Sequence, residues 1–127
     1  MPRPAAKELT ARELEVMQVF WTHGELTAAA ARERLAEAGR DLTYTTVATL
    51  VRLLFEKGYL RSLNDERPFV YAPARSQEDV SKRLLGHVIE SVFNGSREQL
   101  LLRLFDQRPL TERERNVLQG ILKETSR

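Results

Sequence analysis

Thr45, Ala48, Thr49 and Arg52 recur at i, i+3, i+4 and i+7 within YTTVATLVRLLFEKGYL, residues 44–60. At 3.6 residues per turn this spacing puts them on one stripe of a helix, and Val47, Leu50, Val51 and Leu54 on the opposite stripe. The apolar stripe is a core face. The other faces solvent, yet it is short, flat and almost uncharged, with one Arg at its end. Ordinary exposed helix faces carry Glu and Lys. Threonine methyls and hydroxyls, an alanine and a guanidinium suit a surface that offers methyl groups, hydrogen-bonding edges and phosphates. The floor of the DNA major groove offers all three. The same residues also read as the solvated face of a protein-interaction module, and by themselves they leave both readings open.

Bond-breaking chemistry finds no support. The chain has no Cys, no nucleophile elbow, no Gly-rich phosphate loop and no paired His/acid pattern. Its carboxylates fall at helix starts and on exposed faces, where capping accounts for them. His23 and His87 are the only histidines. No spacing relates them to a further ligand, and a metal site needs three or four, so neither a metal nor a cofactor is expected. Trp21 reads as a core residue.

The positioning elements fit within 127 residues, enough for one domain or a small domain plus an oligomerisation segment. Hydrophobic residues at 42% and charged residues at 30% are the proportions of an ordinary globular chain. No run of 18 apolar residues would span a membrane. The start, MPRPAAKE, has no apolar h-region, so no secretory signal is expected, and the absence of Cys fits a cytoplasmic protein. Net charge is only +2, split evenly as 11 basic and 10 acidic residues in 1–75 and 9 and 8 in 76–127. A phosphate-binding surface must therefore come from local placement of charge.

Four segments carry an N-cap residue with an acid or amide three positions on: Thr10–Glu13, Ser76–Asp79, Ser96–Gln99 and Thr111–Glu114. The first opens a helix over 11–22, with Leu14, Val16, Met17, Phe20 and Trp21 as its apolar face and Gly24 as C-cap. Thr27 caps a second helix through Leu35, ending near Gly39. Thr43 caps the third, which Gly58 ends. Leu60–Leu63 and Pro68–Ala72 flank the polar turn Asn64–Arg67 and read as a hairpin. Pro68, without an amide donor, should put its strand at a sheet edge or at a strand start. Glu25-Leu26 could add a third strand. Three helices then a hairpin is the order of a winged helix-turn-helix, so the fold class is mainly α with a small β-hairpin. Residues 1–75 form that unit and residues 76–127 a C-terminal helical segment.

The second segment is all helix. Its fourth helix carries Val80, Leu84, Leu85, Val88, Ile89 and Val92, and Asn94-Gly95 breaks it. The fifth holds Leu100, Leu101, Leu102, Leu104 and Phe105, and the sixth Val117, Leu118, Ile121 and Leu122. Full burial of the fifth helix's apolar residues would gain roughly 8–15 kcal/mol. Ordering its backbone and side chains costs roughly 15 kcal/mol. Its consecutive leucines point several ways, so no single neighbour covers them. A second copy would, which makes Val80, Leu84, Val88, Leu100, Leu101, Leu104, Phe105, Leu118, Ile121 and Leu122 the expected homodimerisation set. The alternative is a tail folded back on its own N-terminal unit.

The chain resembles the penicillinase-repressor family of bacterial transcription regulators (the BlaI/MecI group). The likeness runs from Leu9 to Leu122. Its carriers are Leu9-Thr10, Glu13–Met17, Phe20-Trp21, Tyr44–Val47, Thr49-Leu50, Arg52-Leu53, Lys57-Gly58 and Phe69–Tyr71, then Asn94-Gly95, Leu100–Leu102, Leu110 and Glu114. The resemblance implies a winged-helix dimer that represses transcription from an inverted-repeat DNA operator. Thr45, Thr46, Ala48 and Thr49 of the third helix would then face bases or phosphates, with Arg52 on the backbone. Arg67 in the hairpin turn would be a wing contact to phosphate, or else a solvated Arg beside Asp65 and Glu66. Arg3, Lys7 and Arg12 are further phosphate candidates. One branch of the family is released by a membrane sensor-protease system that leads to a cut in the fifth helix. Here that bond would be Arg103–Leu104, where the sequence departs from the family's Asn-Phe pair. A copper-responsive branch uses a C-terminal cysteine cluster, which this chain lacks.

Overall fold

The computed structural model describes residues 8–125. Its elements follow the order α1 (Ala11–His23), β1 (Leu26–Thr27), α2 (Ala28–Glu37), α3 (Tyr44–Lys57), β2 (Leu60–Ser62), β3 (Val70–Pro73), α4 (Gln77–Ser91), α5 (Arg97–Phe105) and α6 (Glu112–Thr125). The chain divides into two units after Ser81. That is six residues beyond the boundary at 75/76 read from composition, so the first turn of α4 belongs to the first unit.

In the first unit, α1 to α3 enclose a core of Val16, Met17 and Phe20 from α1, Ala31 and Leu35 from α2, and Val47, Val51 and Leu54 from α3. Leu50, expected on the same stripe, is only half-buried. Val19, Leu26, Tyr59, Leu60, Ala72 and Val80 complete the core. Val80 was expected in the dimerisation set. It is 3% exposed inside this unit and is corrected to a core residue.

Gly58 ends α3 in the left-handed region at φ 90°, and its N–H returns to the Leu54 and Phe55 carbonyls. The turn delivers Tyr59 and Leu60 directly into the core and β2.

The sheet is three-stranded and antiparallel in the order β1-β3-β2. Leu26 pairs with Tyr71 and Thr27 with Val70, one residue later than the Glu25-Leu26 strand expected. Pro68 neither starts a strand nor marks an edge. β3, the central strand, begins two residues later at Val70. The reason is Asn64. Its Oδ1 accepts from the Val70 amide at 2.9 Å, and its Nδ2 donates to the Glu66 and Pro68 carbonyls at 3.1 Å each. One carboxamide thus organises the whole wing loop.

The α1 cap is a closed capping box: Thr10 Oγ1 accepts from the Glu13 amide and Glu13 Oε1 from the Thr10 amide. Glu13 is more than a cap, for its side chain is 2% exposed and lies 2.8 Å from Lys57 Nζ at the end of α3. Lys57 also donates to the Glu8 carbonyl at 3.2 Å. Burial by itself would raise the Glu13 pKa. Hydrogen bonds from Lys57 and Thr10 outweigh it and hold the carboxyl below its ordinary value. Glu13 thus caps the helix start as its spacing indicates, and its burial against Lys57 is what spacing did not reveal.

In the second unit, Asn94 at φ 55° and Gly95 at φ 85° make the break between α4 and α5. The corner between α5 and α6 is set by Arg108, whose Nη1 and Nη2 donate to the two Glu114 oxygens at 3.2 and 2.9 Å. The Thr111 amide adds a third bond at 3.0 Å. Arg108 first, then Thr111, hold the Glu114 carboxyl down at about 2. Neither α5 nor α6 has a buried residue. Leu104, Phe105, Leu110, Val117, Leu118 and Ile121 line an open apolar groove of about 740 Å³.

Candidate nucleic-acid interface

The third helix begins with a threonine cap. Thr43 Oγ1 accepts from the Thr46 amide at 3.2 Å, and the Thr43 hydroxyl donates to Thr46 Oγ1 at 3.0 Å. Part of Thr46 is therefore engaged in shaping the helix start. Thr45, Thr46, Thr49 and Arg52 are exposed, and Ala48 is half-buried. Thr45, Ala48, Thr49 and Arg52 lie on the side away from Val47, Val51 and Leu54, as their spacing requires, and Thr46 sits at the border, one turn before the half-buried Leu50.

The helix starts differ in charge. The first turns of α1, α4, α5 and α6 each contain an acidic residue. Those of α2 and α3 contain none. A carboxylate there would neutralise the partial positive charge of the helix N-terminus and repel a phosphate. The two helices of the helix-turn-helix leave that charge available, and both are capped by neutral threonines, Thr27 and Thr43.

Ala48 forms part of the wall of a cleft of about 550 Å³ within the first unit. Tyr44 and Arg52 border it from α3, Thr27 and Ala28 from the start of α2, and Arg67, Phe69 and Tyr71 from the wing. Aromatic contacts tie the wing to α3. The Phe55 and Tyr71 ring centres are 5.9 Å apart, and those of Tyr71 and Phe69 6.4 Å. The Arg67 guanidinium lies 5.8 Å from the Phe69 centre. Arg52 from α3 and Arg67 from the wing thus line one cleft, a juxtaposition that sequence spacing alone does not reveal.

Sequence reasoning ended the polar stripe at Arg52 and missed Glu56. Arg52 Nη1 donates to Glu56 Oε2 at 2.9 Å, and both side chains are more than half exposed. The i, i+4 spacing was the available signal. The stripe is less one-sided in charge than it first reads.

The remaining candidates are dispersed. Arg12 is exposed and 3.9 Å from Glu15. Arg3 and Lys7 lie outside the described residues. His23 and His87 are exposed on separate helices, and among the described residues no three His, Cys, Asp or Glu are grouped to hold a metal. Trp21 is half-buried, its indole N–H donating to the Arg75 carbonyl at 2.9 Å. Arg103 and Leu104 are exposed in α5, with Arg103 hydrogen-bonded to Asp106. Among the described residues no helix is long and apolar enough to cross a membrane.

The family model described as penicillinase repressor matches residues 9–124. A penicillinase repressor of Bacillus licheniformis is 28% identical over 119 residues, covering 92% of this chain and 91% of the relative. The methicillin resistance regulatory protein MecI of Mammaliicoccus sciuri is 26% identical over 115 residues, covering 91% and 93%. The solution structure of the DNA binding domain of the repressor BlaI superposes with a TM-score of 0.51 at 27% identity, over 61% of this chain and 93% of that one.

Proposed function

This chain belongs to the penicillinase repressor family, and from that premise we propose that it is a dimeric, DNA-binding transcriptional repressor rather than an enzyme. The observation that carries the docking face is the charge pattern of the helix starts: acid-free first turns on α2 and α3 only. In this reading the N-terminal half of α3 enters the major groove. Thr45, Ala48 and Thr49 meet base edges and thymine methyls, and Thr46 meets phosphate or a base edge. Arg52 and Arg67, which line the same cleft, reach the sugar-phosphate backbone.

Two copies would present two such helices to an inverted repeat, with half-sites about 34–36 Å apart or a multiple of that. The exposed residues Leu101, Leu102, Leu104, Phe105, Val117, Ile121 and Leu122 support pairing through α5 and α6. Occupying the operator would block transcription, and work on DNA sets its site of action in the cytoplasm. We also propose that a cut at Arg103–Leu104, triggered by a membrane sensor-protease, releases the pair. Both residues are exposed, and mass spectrometry of the chain during derepression reads out that step.

Ala48→Glu tests the docking face. It puts a carboxylate against the groove without disturbing the core, and should weaken operator binding by roughly a hundredfold or more. Sedimentation should show an unchanged dimer. Wild-type affinity in this variant would overturn the docking face. A wild-type protein with no sequence-selective binding at physiological salt would favour the protein-interaction reading instead.

A further inference from the structure

Glu56 is the one carboxylate on the stripe that α3 offers. It follows Arg52 by four residues, Thr49 by seven and Thr45 by eleven, which keeps it on the same side of the helix. Its side chain is 55% exposed and accepts the Arg52 hydrogen bond at 2.9 Å. Helix stability does not account for it. An acid in the last turn opposes the helix dipole. The pair also runs in the less favourable order, cation before anion, and exposed pairs of this kind add little. For DNA affinity alone it is a cost, since it repels phosphate and offsets the guanidinium one turn away.

Resting on the docking reading above, we propose that Glu56 is a selectivity residue that works by positioning Arg52. Its Oε2 takes one guanidinium donor, Nη1, and leaves the remaining donors for a backbone phosphate. A backbone that arrives where a cognate duplex puts it meets an Arg already held in place. A duplex docked in another register meets a neutralised Arg and a nearby carboxylate. Glu56 therefore lowers affinity for the wrong DNA more than for the right DNA, a difference of affinities built partly from repulsion.

The test compares full-length wild type, Glu56→Gln and Arg52→Gln. The probes are a duplex selected by the wild type from a random-sequence library and a scrambled duplex of the same length. For Glu56→Gln, affinity for the scrambled duplex should rise about fivefold. That for the selected duplex should change by less than about twofold, because lost ordering of Arg52 offsets the lost repulsion. The salt slope on the scrambled duplex should steepen by about 0.9, one more phosphate neutralised. The melting temperature should scarcely move, as expected for an exposed pair. Equal gains on both duplexes, or no change on either, would overturn the role of Glu56. Arg52→Gln should weaken binding of the selected duplex. If it binds like wild type, the docking face itself is wrong and the proposal falls with it. If it binds weakly while Glu56→Gln behaves alike on both probes, only the proposal falls.

Discussion

Val16, Met17, Phe20, Val47 and Leu54 of the first unit are fully buried, while α5 and α6 of the second contain no buried residue and expose Leu104, Val117, Ile121 and Leu122. The first unit is the richer in apolar residues, and the two units use theirs in different ways. The first closes a core with three helices and a sheet, and can hold a recognition surface rigidly. The second presents apolar side chains with nothing of its own over them, as expected of a segment whose burial comes from another molecule. A rigid reader joined to a pairing segment is what a two-half-site binder requires.

Phe20→Ala should break that contrast most severely. It empties the centre of the first unit and should cost about 3–5 kcal/mol in urea unfolding. Ile121→Glu should act on the other side. Self-association, followed by sedimentation equilibrium, should weaken by roughly a hundredfold or more. Urea unfolding of the first unit should stay close to wild type. A loss of first-unit stability in this variant would mean the two units are not separable.

Glu13→Gln should have the smallest effect. The buried Glu13–Lys57 pair ties α1 to the end of α3, and since Lys57 is about a fifth exposed, its loss should cost about 1–3 kcal/mol. The folded-state pKa of Glu13 lies below the ordinary 4.5. Its contribution is therefore fully present above about pH 4.5 and is lost as pH falls through the folded value. Unfolding followed against pH should show wild type losing more stability than Glu13→Gln over that acid range. Parallel acid limbs would remove this role.

Much of the reader was legible beforehand because helix periodicity and caps are local. Thr10, Thr27, Thr43 and Gly58 marked their boundaries to within a residue, and Thr45, Thr49 and Arg52 follow from 3.6-residue spacing. What spacing could not supply depends on contacts between distant residues. Asn64 displaced the start of β3 through a six-residue hydrogen bond. Glu13 became buried because Lys57, 44 residues later, comes back to it. The approach of Arg67 to the cleft that Arg52 also lines required the wing to fold. Val80 looked like part of the pairing stripe because a helix pattern carries no mark of where one unit ends.

The most direct test of the central claim is an amide NMR titration of the full-length protein with the selected duplex. The account predicts shifts concentrated at Thr45, Thr46, Ala48, Thr49, Arg52 and Arg67, with the exposed face of α1 at Gln18 and Thr22 unmoved. Shifts at Gln18 and Thr22 with α3 unchanged would contradict it.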